Sequence, residues 1–243
     1  MIPLSETPPR PANKLLAALS PQCYKRLMPH LEPIAFELGD ILYHPKEAIR
    51  FVYFPHKSII SMVNILEDGL MVEVGVVGGE GMVGIPLLSG DNISPHQAVI
   101  QVAGGGMRMK AGAFREEINK HAELNNLVQR YMQALFNQVA QTAACNRLHP
   151  IVERLARWML LTQDRMESEI LHLTHDFIAT MLGARRAGVT IAAGTLQAAG
   201  IITYHRGTVV IQDRERLEEA SCECYKIVRD EYTRLLGKYL PNE

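Results

Sequence analysis

The sequence predicts an α+β chain: an N-terminal antiparallel β-roll of the jelly-roll kind, one long helix, and a C-terminal winged helix-turn-helix. Three observations predict it. Between about residues 34 and 109, short runs rich in Ile, Val, Phe and Tyr alternate with Gly, Pro, Asp and Asn. From Leu124 to Cys145, apolar positions recur at steps of three and four. From Thr174 to Ile211, two helical patterns joined at a glycine run into a hairpin pattern. The expected divisions are an arm over 1–12, the roll over 13–112, the long helix over 113–148 and the winged domain over 149–243.

The arm carries Pro3, Pro8, Pro9 and Pro11, which fix φ and remove donors. Asn13–Leu19 and Pro21–Met28 read as short helices, the second with Ser20 as N-cap and proline at its first position. Ile34–Leu38, Ile41–Tyr43, Phe51–Phe54, Ile59–Ile65, Met71–Val77, Ala98–Val102 and Met107–Met109 read as strands. Glu67-Asp68-Gly69 is the turn of one hairpin, and Gly104-Gly105-Gly106 a flexible turn between two strands.

The long helix should run unbroken from Ala113 to Leu148, because no proline falls between Pro95 and Pro150. Leu124, Val128, Tyr131, Leu135, Val139 and Thr142 form a seam with a period near 3.5 over about three heptads. We read it as a homodimer seam, since Asn137, Gln138, Gln141 and Thr142 are poor residues to bury under a sheet. The alternative is a helix lying on its own sheet.

Thr174 is the N-cap of the next signal, with Asp176 in its first turn and Phe177, Ile178, Met181 and Leu182 as its apolar face. Gly183 supplies the turn. A second helix runs from about Arg185 to Ala198, burying Val189, Ala192, Ala193 and Leu196, and Gly200 ends it. Ile201–Tyr204 and Thr208–Ile211 flank the three-residue loop His205-Arg206-Gly207, which makes a wing.

Charge locates the expected nucleic-acid surface. The 243 residues hold 25 Lys+Arg against 26 Asp+Glu, a formal net charge of -1, so binding through bulk positive charge is excluded. Between Phe177 and Gln212, however, Arg185, Arg186 and Arg206 face no Asp or Glu within the window. Two of these open the second helix, where a recognition helix reads bases. The plainer reading makes them solvated surface charges.

The stretch Leu173-Thr174-His175-Asp176-Phe177-Ile178-Ala179-Thr180-Met181-Leu182-Gly183-Ala184-Arg185-Arg186-Ala187-Gly188-Val189 resembles the DNA-binding signature of the Crp/Fnr superfamily of bacterial transcription regulators. Gly79-Glu80-Gly81-Met82-Val83-Gly84 and Tyr53-Phe54-Pro55 are similar, more loosely, to that family's cyclic-nucleotide-binding-like effector domain. The resemblance covers nearly all the chain beyond the first dozen residues. It implies a homodimer on double-stranded DNA with a pseudo-palindromic operator, and RNA polymerase as a second partner. It implies backbone contacts from Thr174 and His175 and makes Arg186 the recognition-helix arginine. With the wing, the DNA set is Thr174, His175, Arg185, Arg186, Gly188, Thr190, His205, Arg206 and Thr208. Two family positions differ: Ala187 stands where many members have Glu, and Ile191 where they have Arg. Losing a cytosine acceptor and a guanine donor implies a different operator.

An effector pocket by the same resemblance would use Gly79, Glu80, Gly84, His96 and Gln97. Nucleotide-binding members place an Arg near the last two to neutralise the cyclic phosphate. Here the stretch reads His96-Gln97-Ala98, and no Arg occurs between Arg50 and Arg108. A phosphate buried there would lack a guanidinium partner, which argues against cyclic AMP or cyclic GMP. The effector is unknown, and the glycines of this region also read simply as turns of the roll.

No other cofactor is expected. Cys23 is the only cysteine in the first half, too few for a four-thiolate cluster. Cys222-Glu223-Cys224 would point its thiols to different faces of a helix. His172 and His175 lie three apart, but no Cys or carboxylate completes a zinc set at the usual spacing, so no metal site is expected. His44, His56 and His96 are not singled out as haem ligands. No nucleophile elbow, Walker A loop or His-Glu-x-x-His helix appears, which disfavours an enzyme. Composition, 47% hydrophobic and 21% charged, fits a chain with real cores. No signal core opens the chain, and Arg185-Arg186 interrupts the most apolar stretch, so a cytoplasmic protein without a membrane partner is expected. The rival readings are a ligand-binding sensor or scaffold whose winged helix mediates protein contacts, and a cyclic-nucleotide-gated regulator.

Overall fold

A computed structural model describes residues 11–166 and 170–237. The predicted arm thus lies, apart from its last two residues, outside the described residues. Two short helices follow, α1 (Lys14–Ala17) and α2 (Pro21–Leu27). Ser20 caps the second by accepting from the Cys23 amide.

Seven strands build the roll: β1 (Leu31–Phe36), β2 (Ile41–Tyr43), β3 (Phe51–His56), β4 (Ile59–Ile65), β5 (Met71–Val77), β6 (Gln97–Val102) and β7 (Gly104–Lys110). They form two antiparallel sheets, ordered β1-β7-β3 and β2-β6-β4-β5. Gly104-Gly105-Gly106 is not a flexible turn. It is the start of central strand β7, with Gly106 paired to both Ile34 and Pro55. A Cβ on Gly106 would come within 2.6 Å of the Phe36 ring and the Phe54 carbonyl. Gly104 and Gly106 are there for close approach of neighbouring backbone.

The predicted single long helix is two. α3 (Ala111–Lys120) ends at His121, whose φ of -131° is extended, and α4 (Ala122–Leu148) begins after it. Then come α5 (Ile151–Met166), strand β8 (Ile170–His172), α6 (His175–Leu182), α7 (Arg186–Ala198), β9 (Ile202–His205), β10 (Thr208–Ile211), α8 (Arg214–Ala220) and α9 (Cys224–Leu236). β8 joins the wing to make a three-stranded sheet, β8-β10-β9, which the sequence reading missed.

The seam of α4 corrects the dimer reading. Leu124, Val128, Tyr131 and Leu135 are buried within this chain, and Val139 and Thr142 half-buried. The helix lies on the roll: Leu135 and Val139 stand over Gly75, the Tyr131 hydroxyl donates to Met82 O at 3.0 Å, and Gln138 Nε2 donates to Val76 O at 3.0 Å. A Cβ on Gly81 would collide with the Tyr131 ring, so the glycine admits the tyrosine. Of the polar residues of α4, Gln138 satisfies a sheet carbonyl, and Thr142 donates to the Gln138 carbonyl of its own helix. α9 covers an adjacent side of α4 in antiparallel fashion, with Asn137 bonded to Glu231 and Gln141 to Cys224.

One hydrophobic core runs through roll and C-terminal domain alike. Polar bonds join them too. Trp158 Nε1 of α5 donates to Glu73 Oε1 of β5 at 3.0 Å, and Arg165 Nε of α5 donates to Glu80 Oε1 at 2.8 Å.

Candidate nucleic-acid interface

Thr174 caps α6 by accepting from the Phe177 amide at 3.2 Å, as its position before an apolar face predicts. Gly183 ends the helix at φ 57°, the left-handed conformation that an L side chain resists. Ala184 and Arg185 complete the turn into α7. The inner stripes, Ile178, Met181 and Leu182 on α6 and Val189, Ala193 and Leu196 on α7, are buried. α5 packs on α7 from behind, and its Arg154 Nη2 donates to the Leu182 carbonyl at the end of α6. The opposite side of α7 is therefore solvent-facing. Arg185, Arg186, Ala187, Thr190, Ile191 and Thr195 lie on it, the two arginines and Ile191 well exposed.

The wing turn is tighter than the predicted three-residue loop. His205 pairs with Thr208, leaving Arg206 and Gly207 as the two turn residues, at φ 46° and 82°. Positive φ at both is the type I′ hairpin geometry. It holds Arg206 exposed at the tip, with His205 exposed beside it.

His175 ties these pieces together. Its Nδ1 lies 3.0 Å from Thr190 Oγ1 on α7, and its ring stacks on Tyr204 of the wing with centroids 4.2 Å apart. The Tyr204 hydroxyl donates to Leu173 O at 2.8 Å. Burial, then the nearby Arg186 cation, lowers the histidine's pKa, so it favours the neutral ring. Sequence reasoning assigned His175 and Thr190 to DNA. Here both bind each other, and Thr190 Oγ1 also lies 3.1 Å from Arg186 O, to which it can donate. Their first task is to fix the angle between α6, α7 and the wing.

Arg186 and Gly188 have surroundings that the sequence did not disclose. Arg186 Nη1 is 3.4 Å from Asp176 Oδ2, with both side chains about two-thirds exposed. The acid-free window therefore had an acid immediately before it, and the fold of α6 onto α7 brings that acid to the arginine. Gly188 answers no steric demand in the free protein, since a Cβ there would meet nothing within 4 Å. Ile191 stands out instead: it is 70% exposed on the same face as Arg186 and Ala187. The signal was in the sequence, as a β-branched apolar residue outside the buried stripe.

The expected effector residues have other partners within the chain or sit at backbone turns. Glu80 accepts from Arg165 and from the Gly78 amide. Gly79 O accepts from the Lys14 amide. Gly84 lies at φ 113° against Val52, a turn position. His96 Nδ1 is 2.6 Å from Asn64 Oδ1, and Gln97 is buried at the start of β6. Burial lowers the His96 pKa. A cleft does exist between the roll and the C-terminal domain, lined by Glu73, Gln138, Arg157, Trp158 and Met181. None of these was singled out by sequence as a ligand site.

The cysteines also depart from expectation. Cys222 precedes α9, so it and Cys224 do not obey helical spacing. Both are buried, and they gather with Cys145 and His149, the four donor atoms lying within 4.8 Å of one another. Among the described residues, this group could hold a metal ion. His175 is not among these donors.

Residues 153–220 match the family described as the Crp-like helix-turn-helix domain. No curated protein matches the chain. Among solved structures, FixK2 from Bradyrhizobium japonicum superposes with a TM-score of 0.69 at 15% identity, covering 79% of this chain and 98% of that one. The c-di-GMP-responsive global regulator CLP of Xanthomonas campestris gives 0.65 at 13%, covering 79% and 99%. A CRP-family transcriptional regulator from Thermus thermophilus gives 0.64 at 20%, covering 77% and 96%. At these identities the likeness is one of fold, and it spans both the roll and the winged helix. Among the described residues, no helix is long and apolar enough to cross a membrane.

Proposed function

We propose that this chain, a Crp/Fnr-like transcription regulator by its helix-turn-helix domain and its fold, binds a pseudo-palindromic operator as a homodimer. The observation that carries the reading is the bare outer face of α7, with Arg185, Arg186 and Ile191 exposed and the Arg206 wing tip braced beside it through His175 and Tyr204. Arg186 suits bidentate pairing with guanine, Ile191 suits contact with a thymine methyl, and Arg206 suits a phosphate. His205, Thr208 and Thr174 line the approach to the backbone.

A twin would dock on α4, through a face other than the predicted one. Met132, Phe136, Ala140 and Ala143 follow one another at steps of four, four and three along the side that neither the roll nor α9 covers. Phe136 is 65% exposed. The alanines would let a second α4 approach closely, and Phe136 would fill the seam. Such a dimer sets two recognition helices about one DNA turn apart, roughly 34 Å. RNA polymerase is the expected second partner of such a regulator.

The roll would control DNA binding by biasing two arrangements of the domains. The effector is not a cyclic nucleotide on this reading. Glu80 is held by Arg165, and the sequence has no arginine close to His96 and Gln97. Selection from a random duplex pool at moderate salt tests the proposal. Enrichment of an inverted repeat supports it; an unenriched pool contradicts it.

A further inference from the structure

We propose that Cys145, His149, Cys222 and Cys224 form a tetrahedral Zn(II) site that fastens the C-terminal helix α9 to the end of α4. The donors come from the last turn of α4, the residue capping it, the turn between α8 and α9, and the first residue of α9. Cys145 and Cys222 are 77 positions apart, yet their sulfurs lie 3.5 Å from each other. Cys224 Sγ lies 3.5 Å from His149 Nδ1. Around a tetrahedral zinc, with bonds of about 2.3 Å to sulfur and 2.0 Å to nitrogen, two sulfurs sit about 3.8 Å apart and a sulfur and nitrogen about 3.5 Å. The observed spacings are close to those of a filled site.

The surroundings are those of a metal centre. The three thiols are buried in a small cluster of their own, apart from the main core. His149 turns Nδ1 toward the sulfurs while Nε2 lies 3.3 Å from the Glu223 carboxylate. That second contact fixes the ring and its tautomer, as in carboxylate–histidine–zinc arrangements. Gln141 Nε2 donates to Cys224 Sγ at 3.0 Å, a bond that steadies a thiolate. Three thiolates and one Zn(II) leave one negative charge. Arg154 and Arg157 of α5 lie close enough to act electrostatically on these sulfurs.

Three sulfurs and an imidazole nitrogen select Zn(II) among common ions, and four protein ligands leave no open position, so the site is structural. The donor atoms are too close together to enclose a multi-iron cluster. The thiol protons leave as the metal enters. The site's place gives it a consequence: His149 and Pro150 are where α4 hands the chain to the DNA-binding helices, so the metal would fix that junction.

The test uses the full chain, purified from cells supplied with zinc. One equivalent of zinc per chain is expected by elemental mass spectrometry. Metal-free protein titrated with Co(II) should show sulfur-to-cobalt charge transfer and the intense visible bands of a tetrahedral site, both displaced by zinc. Cys222→Ser should lose the metal, and Glu223→Ala should weaken binding about tenfold in competition with a chelating dye. Cys23→Ser, which alters a thiol buried elsewhere, should keep the full equivalent. Well under one equivalent of zinc, a weak octahedral Co(II) spectrum, or a Cys145–Cys222 disulfide in metal-free purified protein would overturn the proposal. The Co(II) spectrum of the unaltered chain decides even where Cys222→Ser fails to fold.

Discussion

Arg165 Nε donates to Glu80 Oε1 at 2.8 Å, and both side chains are nearly buried. The same guanidinium bonds Gln138 of α4 and the Leu161 carbonyl. The glutamate that sequence resemblance placed in a ligand pocket is thus a tether between the roll and the first helix of the C-terminal domain.

Breaking one side of that pair strands a buried charge. Arg165→Met should lower unfolding stability by about 3–5 kcal/mol, because the Glu80 carboxylate keeps its desolvation cost without its cation. Adding Glu80→Gln should restore a large part of the loss. Urea unfolding of the two variants checks this, and equal stabilities would show that the two side chains are not coupled.

A second carboxylate at the same junction makes stability depend on pH. Burial raises the Glu73 pKa to about 7, outweighing the bonds from Ser61 and Trp158 and the more distant Arg165 and Arg157. The unfolded chain releases this proton near 4.5, so between the two values the folded state binds more protons. The contribution is full below the unfolded value and is lost as pH rises through the folded one, a difference of about 3 kcal/mol. Glu73→Gln, which mimics the protonated acid, should flatten that slope and stabilise the chain above the folded pKa. An unchanged slope in thermal unfolding across that pH range would count against the assignment.

The two faces of α4 predict opposite failures. Phe136→Glu should leave a folded monomer in sedimentation, since Phe136 touches solvent in the single chain. Val128→Asp should unfold the chain, because Val128 is wholly buried within the single chain. A folded Val128→Asp monomer beside a dimeric Phe136→Glu would restore the seam first read from the sequence.

That seam shows what a sequence can and cannot carry. The period of Leu124, Val128, Tyr131 and Leu135 announces a helix with one buried stripe, and the structure has it. Period alone does not say what covers the stripe. The cover is the roll, through contacts such as Tyr131 over Gly81, far away along the chain. The winged helix was legible almost to the residue, because caps, turn glycines and apolar stripes are local signals. Strand β8 was not, since three residues give too little pattern. The Cys145–Cys222 approach was invisible for the same reason as the seam: it joins segments that only the packing of α9 on α4 brings together.

Ile191 should read thymine. An apolar side chain set beside Arg186 favours a base that presents a methyl group in the major groove. Replacing the contacted thymine by uracil in the selected operator should cost about 1 kcal/mol per half-site, the value of one buried methyl. Ile191→Ala should abolish that sensitivity. A variant that still discriminates thymine from uracil would remove Ile191 from base readout.

The salt dependence of binding to the selected operator tests the central claim most directly. Affinity should fall linearly on a log–log plot as counterions are released, because the basic groups are focused on α7 and the wing of a chain with net charge -1. Arg206→Ala should make the slope shallower by about 2 for a dimer, one phosphate contact per protomer, and leave the preferred sequence unchanged. Binding that ignores salt, or a slope that Arg206→Ala does not alter, would contradict the account.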